Sequence, residues 1–198
     1  MKISIFTGLL FISSMSWTQQ SASEIQVLRD QHFQELTDST SHILNTEEIA
    51  EFQGLDYFDF NTSFQIQAQF TEDIGKKFKM PTSTDRLPVY RRYGYVDFVV
   101  NGDSCRLEVY QNMALRKQKE FKDYLFIPFR DLTSGTTTYG GGRYLDTRIP
   151  TSSTLLLDFN LSYNPYCAYS HRYSCPIPPE VNSLKILVLA GEKTPISH

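Results

Sequence analysis

The chain has 198 residues, 40% of them hydrophobic, and a formal net charge of -3. That is enough apolar material for one core of ordinary size and too much for a disordered chain. The mildly acidic balance gives no reason to expect a nucleic-acid partner, which would favour a basic face. Phe and Tyr are frequent while Trp occurs once, and with many Thr, Val and Ile they favour strands over helices.

The chain opens MKISIFTGLLFISSMSWTQQSAS. Lys2 is a short basic region, Ile3 to Met15 is apolar, and Ser16-Trp17-Thr18 puts small side chains where a signal peptidase reads them. Residues 1–18 are therefore expected to be a secretory signal peptide, too short for a membrane span. A buried N-terminal strand is the alternative; Lys2 and the serine cluster fit processing better. The mature chain, 19–198, is expected to lie in the periplasm or outside the cell. It reads as a single β-rich domain without stable membrane insertion, with a helical lead-in over 23–53 and a β core over 55–198.

Ile25, Leu28, His32, Phe33 and Leu36 recur at helical spacing, and Ser21 or Ser23 would cap that helix. His32 on this apolar stripe reads as a packed histidine before it reads as a ligand. A second, short helix starts at Asn45, with Glu48 three residues on as in a capping box, and stops at Gly54.

From Thr62 the period becomes two: Phe64, Ile66, Ala68 and Phe70 alternate with polar residues, as in a strand with one buried face. Lys76 to Met80, Tyr90 to Val100, Ser104 to Gln111, Tyr124 to Phe129, Leu155 to Phe159 and Leu184 to Ala190 are further expected strands. Asn101-Gly102 between two apolar runs predicts a tight hairpin. The charged stretch from Leu115 to Tyr124 reads as a solvated loop, and Gly135 and Gly140 to Gly142 mark turns. Many short strands after a helical start predict a mainly β fold, an antiparallel barrel or sandwich with one or two N-terminal helices.

The densest polar chemistry lies from Phe126 to Glu192. Gly140-Gly141-Gly142-Arg143-Tyr144 would hold an arginine on a tight turn, either for an anion or for a neighbouring Asp131, Asp146 or Asp158. Without a following GK[ST] it is not a phosphate loop. Asp158, Asn160 and Asn164 follow a buried strand and read as ligand contacts or as Asx turns. Asp158 and Glu192 are the candidate acid–base residues. Tyr139, Arg143, Tyr144, Asn160 and Asn164 are the candidate ligand-binding residues.

Cys167 and Cys175, flanked by Pro165 and Pro176, read as a disulfide in an exported chain. With His171 they also read as three ligands of a zinc site that lacks a fourth, and unpaired thiols are the third possibility. The disulfide is preferred, so no metal and no cofactor are expected. Cys105 alternates with Leu107 and Val109 and should point into the core. No GxSxG or HExxH is present.

The succession TYxGGRYLD, LDFNxxYNPYCAYS, CPxPP and AGE resembles the signature of a bacterial family known only as a domain of unknown function. The likeness is strong over Phe126 to Glu192 and looser from Gly54 to Tyr110. It implies no activity, substrate or cofactor, but marks Arg143, Tyr144, Asp158, Asn160, Asn164, Cys167 and Cys175 as signature positions. The expectation is an exported binding module for a small polar or anionic ligand, with no nucleic-acid partner. The alternative is a hydrolase or lyase using Asp or Glu acid–base chemistry, with Arg143 as electrostatic stabiliser.

Overall fold

A computed structural model describes residues 19–196, so the expected signal peptide over 1–18 lies outside the described residues. Two helices, α1 (Ala22–Thr37) and α2 (Thr46–Glu51), precede seven strands. These are β1 (Gln65–Glu72), β2 (Lys77–Lys79), β3 (Val89–Val100), β4 (Asp103–Asn112), β5 (Tyr124–Phe129), β6 (Arg143–Arg148) and β7 (Thr154–Asp158). They form one antiparallel sheet in the order β6-β5-β4-β3-β1-β7, with β2 on β3. The sheet curls into a half-barrel, so the fold is mainly β and antiparallel, on the barrel side of the expectation.

Both helices start as their sequences ask. Ser21 accepts from the Glu24 N–H while the Glu24 carboxylate accepts from the Ser21 N–H, and Asn45 and Glu48 repeat the arrangement. Each box satisfies amide donors that the first helical turn leaves open. Between β3 and β4, Val100 faces Asp103. The two linking residues, Asn101 and Gly102, have φ of 52 and 94. Both are left-handed, as a two-residue turn that follows the strand twist requires.

The curl buries Val96, Leu107, Val109, Leu125, Ile127, Phe129 and Phe159 on one face, with Cys105 packed against them. Met80, Tyr90, Tyr110, Phe126 and Tyr144 form a smaller cluster on the other face. The alternation of β5 explains the division: Leu125, Ile127 and Phe129 go one way, Tyr124 and Phe126 the other.

Two segments differ from expectation. The stretch at Arg143 is a strand, not an isolated turn; Phe129 pairs with Arg143 and Tyr124 with Arg148 along β5. Leu184 to Ala190, expected as a strand, lies outside any strand ladder and bends at Lys185, Ile186 and Ala190. Its side chains still alternate: Leu184, Ile186, Val188 and Ala190 are buried while Leu187 and Leu189 are exposed. The period of two was real, but the backbone is held mainly by other means. The Leu132 N–H donates to the Ile186 carbonyl and the Leu184 N–H to that of Arg130. Arg143 takes the carbonyls further along.

Candidate functional site

β6 and β7 are the two ends of the strand order, and the seam between them is where the half-barrel stays open. Helix α1 lies across it. Ile25 and Leu36 are fully buried at its two ends, each contributing about 1.5–3 kcal/mol by leaving water. Between them the Arg29 guanidinium lies 4.4 Å from the centre of the Tyr57 ring and donates to the Asn160 carbonyl at 3.3 Å. Covering an edge this way also blocks unwanted strand pairing.

The seam leaves two compartments under α1. One, of about 320 Å³, is walled by Leu28 and Arg29 of α1, Leu145 and Asp146 of β6, and Leu157 and Asp158 of β7. The other, of about 330 Å³, extends toward the loop over 165–176 and has six tyrosines in its lining. His32, Asp146 and Tyr163 belong to both. The His32 and Tyr163 rings pack 5.6 Å apart and form the partition.

Asp146 is the floor. It follows Tyr144 by two on β6 and so points to the same face. Its two oxygens accept from the Tyr124 hydroxyl at 2.6 Å and the Tyr163 hydroxyl at 2.9 Å. The residue is open to solvent yet ringed by protein, as befits a group at the bottom of a concavity. Its carboxyl is raised above the usual range by burial, opposed by the hydroxyls of Tyr124 and Tyr163 and by Arg148.

The residues singled out in the sequence lie elsewhere, mostly within the protein. Arg143 shares its face of β6 with Leu145, turned away from Asp146. It is 1% exposed, and its guanidinium donates to Asp131 at 2.8 Å and to the carbonyls of Val188, Glu192 and Ala190. Those acceptors take Nη1 and Nη2, while Nε is buried without a hydrogen-bond partner. Asn160 is fully buried and spans two segments: its amide donates to the Asn61 carbonyl, and its carbonyl oxygen accepts the Asn61 N–H at 2.9 Å. Asp158 accepts from Gln65 at 2.7 Å and from the Asn160 N–H at 2.9 Å, an Asx turn whose carboxylate also borders the first compartment. Tyr144 lines the second compartment, with its hydroxyl on the Pro176 carbonyl.

Asn164 and Glu192 make a sealed cluster behind the partition. The Asn164 N–H donates to Glu192 Oε2 at 2.8 Å, Tyr169 donates its hydroxyl to Oε1, and His32 Nε2 lies 3.9 Å from Oε2. Glu192 is fully buried, and burial raises its pKa to about 8 against the N–H of Asn164 and the charge of Arg143. Burial alone lowers His32 to about 4, so the ring is neutral at pH 7. Asp158 and Glu192 are thus not presented side by side to one compartment: Asp158 borders the first, and Glu192 borders neither.

The structure holds all three cysteines as free thiols, so the expected Cys167–Cys175 bond is not formed in it. The two are neighbours nonetheless: the Cys167 N–H donates to Cys175 Sγ at 3.2 Å. The Cys175 thiol, as donor, lowers the Cys167 pKa to about 6, with Ser83 and Tyr139 adding to it. Tyr139, half-buried, is raised to about 12 by burial and by Cys167. Among the described residues, no three His, Cys, Asp or Glu side chains are grouped to hold a metal ion. No helix among them is long and apolar enough to cross a membrane.

Sequence reasoning missed Asp146 as a site residue, along with Tyr57, Tyr90 and Tyr124. The available signal was the two-residue offset of Asp146 from Tyr144, had the stretch been read as a strand.

Residues 50–193 match the model of a family described as a protein of unknown function, DUF1684. The chain is also similar to an uncharacterized protein of Haloarcula marismortui solved by solution NMR. That likeness has 34% sequence identity and a TM-score of 0.67, covering 89% of this chain and 95% of the other. No curated protein matches.

Proposed function

Because the chain belongs to the DUF1684 family of proteins of unknown function, we propose a role drawn from its own site: a non-enzymatic binding module that holds a small polar ligand in the seam under α1. The observation that carries this is the position of Asp146, a solvent-reached carboxylate shared by both compartments and flanked by tyrosine hydroxyls. Concave, largely apolar sites with a few placed polar groups are the usual form of small-ligand pockets. The anionic half of the sequence expectation rested on Arg143, which is 1% exposed with Nη1 and Nη2 bonded inside the protein, and it is dropped here.

A thermal-shift screen of chemically diverse fragments tests this reading, since a ligand of the native state raises the melting temperature by mass action. Hits should vanish in Leu28→Trp or Leu115→Trp, which fill one compartment each from half-buried positions. Hits that survive both substitutions, or a screen without hits, would count against the seam as the site.

One observation favours the acid–base alternative: Glu192 has the raised pKa of a general acid and feels the charge of Arg143. It ranks second because that carboxyl borders neither compartment. We also propose export, supported by the composition of residues 1–18, and take the quoted motifs as the signature of a bacterial family. In an oxidising compartment a disulfide-exchange oxidant would take two electrons and two protons from Cys167 and Cys175, leaving one S–S bond.

A further inference from the structure

The two compartments differ in charge. The first contains the Arg29 guanidinium. The second is lined by two carboxylates, Glu35 and Asp146, and by no Lys or Arg. His32 adds no charge there, since burial keeps it neutral. Three arginines stand behind the lining: Arg86 donates to the carbonyl of the lining Ser174 and its charge reaches Tyr90 and Cys175, Arg148 pairs with Asp123 at 2.8 Å, and Arg172 lies over the Tyr173 ring while paired with Glu48 at 3.0 Å.

About half of the lining is aromatic. Six tyrosines, Tyr90, Tyr124, Tyr144, Tyr163, Tyr166 and Tyr173, border this compartment together with Phe126. Their arrangement is fixed by edge contacts: Tyr144 meets Phe126 at 4.7 Å and Tyr163 at 5.8 Å, and Tyr166 meets Tyr173 at 5.2 Å. Aromatic faces carry negative potential and attract cations, most strongly where water is excluded. Burial raises the Asp146 carboxyl, but each of its oxygens accepts one hydroxyl, which opposes that shift and leaves acceptor capacity on both.

We infer that the tyrosine-lined compartment takes a small organic cation, a protonated alkylamine, with its N–H donors on Asp146 and its carbons against the ring faces. Glu35, exposed at the rim on α1, attracts the charge without being buried by it. An anion of the same size would meet two like charges with no Lys or Arg in the lining itself. This inference rests on the binding role proposed above and narrows it to one ligand class.

The test is a titration of the isotopically labelled chain, followed by amide chemical shifts, with n-butylammonium, tetramethylammonium, n-butanol and n-butyrate. The expected order puts n-butylammonium first, with n-butanol and n-butyrate about tenfold weaker or more, the loss of a charge-assisted contact. Tetramethylammonium, which has no N–H, should also bind more weakly; equal binding would overturn the Asp146 contact. Asp146→Asn and Glu35→Gln should each weaken n-butylammonium and leave n-butanol unchanged. Glu35 is exposed, so Glu35→Gln and the wild-type probe order still decide if Asp146→Asn does not fold. Should n-butanol or n-butyrate bind best, with shifts abolished by Leu115→Trp, the cation assignment falls and the binding role stands. Silence at His32, Asp146 and Tyr163 with all four probes would overturn both.

Discussion

Replacing Arg143 with Met separates an internal arginine from a ligand-binding one. The substitution removes the partner of Asp131, whose side chain is fully buried. It also strips a donor from the carbonyls of Val188, Ala190 and Glu192. Asp131 keeps the Thr133 N–H at 2.7 Å and hydroxyl, but its charge loses its counter-ion. Breaking a buried pair from one side costs about 3–5 kcal/mol, and carbonyls left short of donors add to that. A domain of this size has only about 5–15 kcal/mol in total, so Arg143→Met should fold marginally. Urea unfolding should show a lower midpoint at an unchanged slope. Adding Asp131→Asn should recover part of the loss, because the two residues share one interaction. A surface arginine serving a ligand would change stability by about 0.5 kcal/mol or less. A loss under about 1 kcal/mol in Arg143→Met would therefore refute the internal role.

Other expectations follow from the sealed cluster and the thiols. Glu192 has a folded pKa of about 8 and an unfolded one of roughly 4.3, so the native state binds its proton more tightly. Its contribution is fully present below the unfolded value and is lost as pH rises through about 8. The wild-type minus Glu192→Gln difference in unfolding free energy, followed by urea titration across pH 5 to 9, should fall with rising pH; a flat difference would refute the shift. His32 has the opposite sign: lowered to about 4, it contributes above its unfolded value and is lost as pH falls through the folded one, and a His32→Gln comparison across the acid range should show that loss. In the reduced chain near pH 7, alkylation followed by peptide mass should mark Cys167 first, since its pKa is lowered to about 6 while burial raises that of Cys105; faster reaction at Cys105 would contradict this. After export, alkylation without reductant under denaturing conditions should modify only Cys105, and three adducts would withdraw the Cys167–Cys175 bond.

What the sequence disclosed was local. The Ser21 and Asn45 caps, the Asn101-Gly102 turn and the alternation of β1 depend on neighbours within a few residues, and each appears where its pattern placed it. Arg143 was half legible: a pair with Asp131 was one of its two readings and is present at 2.8 Å, while its place on a strand was not foreseen. Its carbonyl acceptors lie 45 to 49 residues further along the chain, beyond any local pattern. The last apolar stretch misled for the complementary reason. Its alternation reports which side chains are buried, and burial does not require a ladder when an arginine supplies the donors. The compartments under α1 were the least legible, since His32 and Tyr163 meet only after the sheet has curled.

The helix that closes the seam, α1 (Ala22–Thr37), precedes the segment 50–193 that defines family membership. Floor and wall are therefore separable. A fragment cut to the family boundary would keep Asp146, the tyrosines and the open edges of β6 and β7, but would have lost Leu28, Arg29 and His32. What stands in α1's place decides how deep the hollow is and which charges look into it. Relatives alike across the matched segment can thus differ in what they admit, and their comparison belongs at the element laid over the seam, not at the glycine-rich turn that draws the eye.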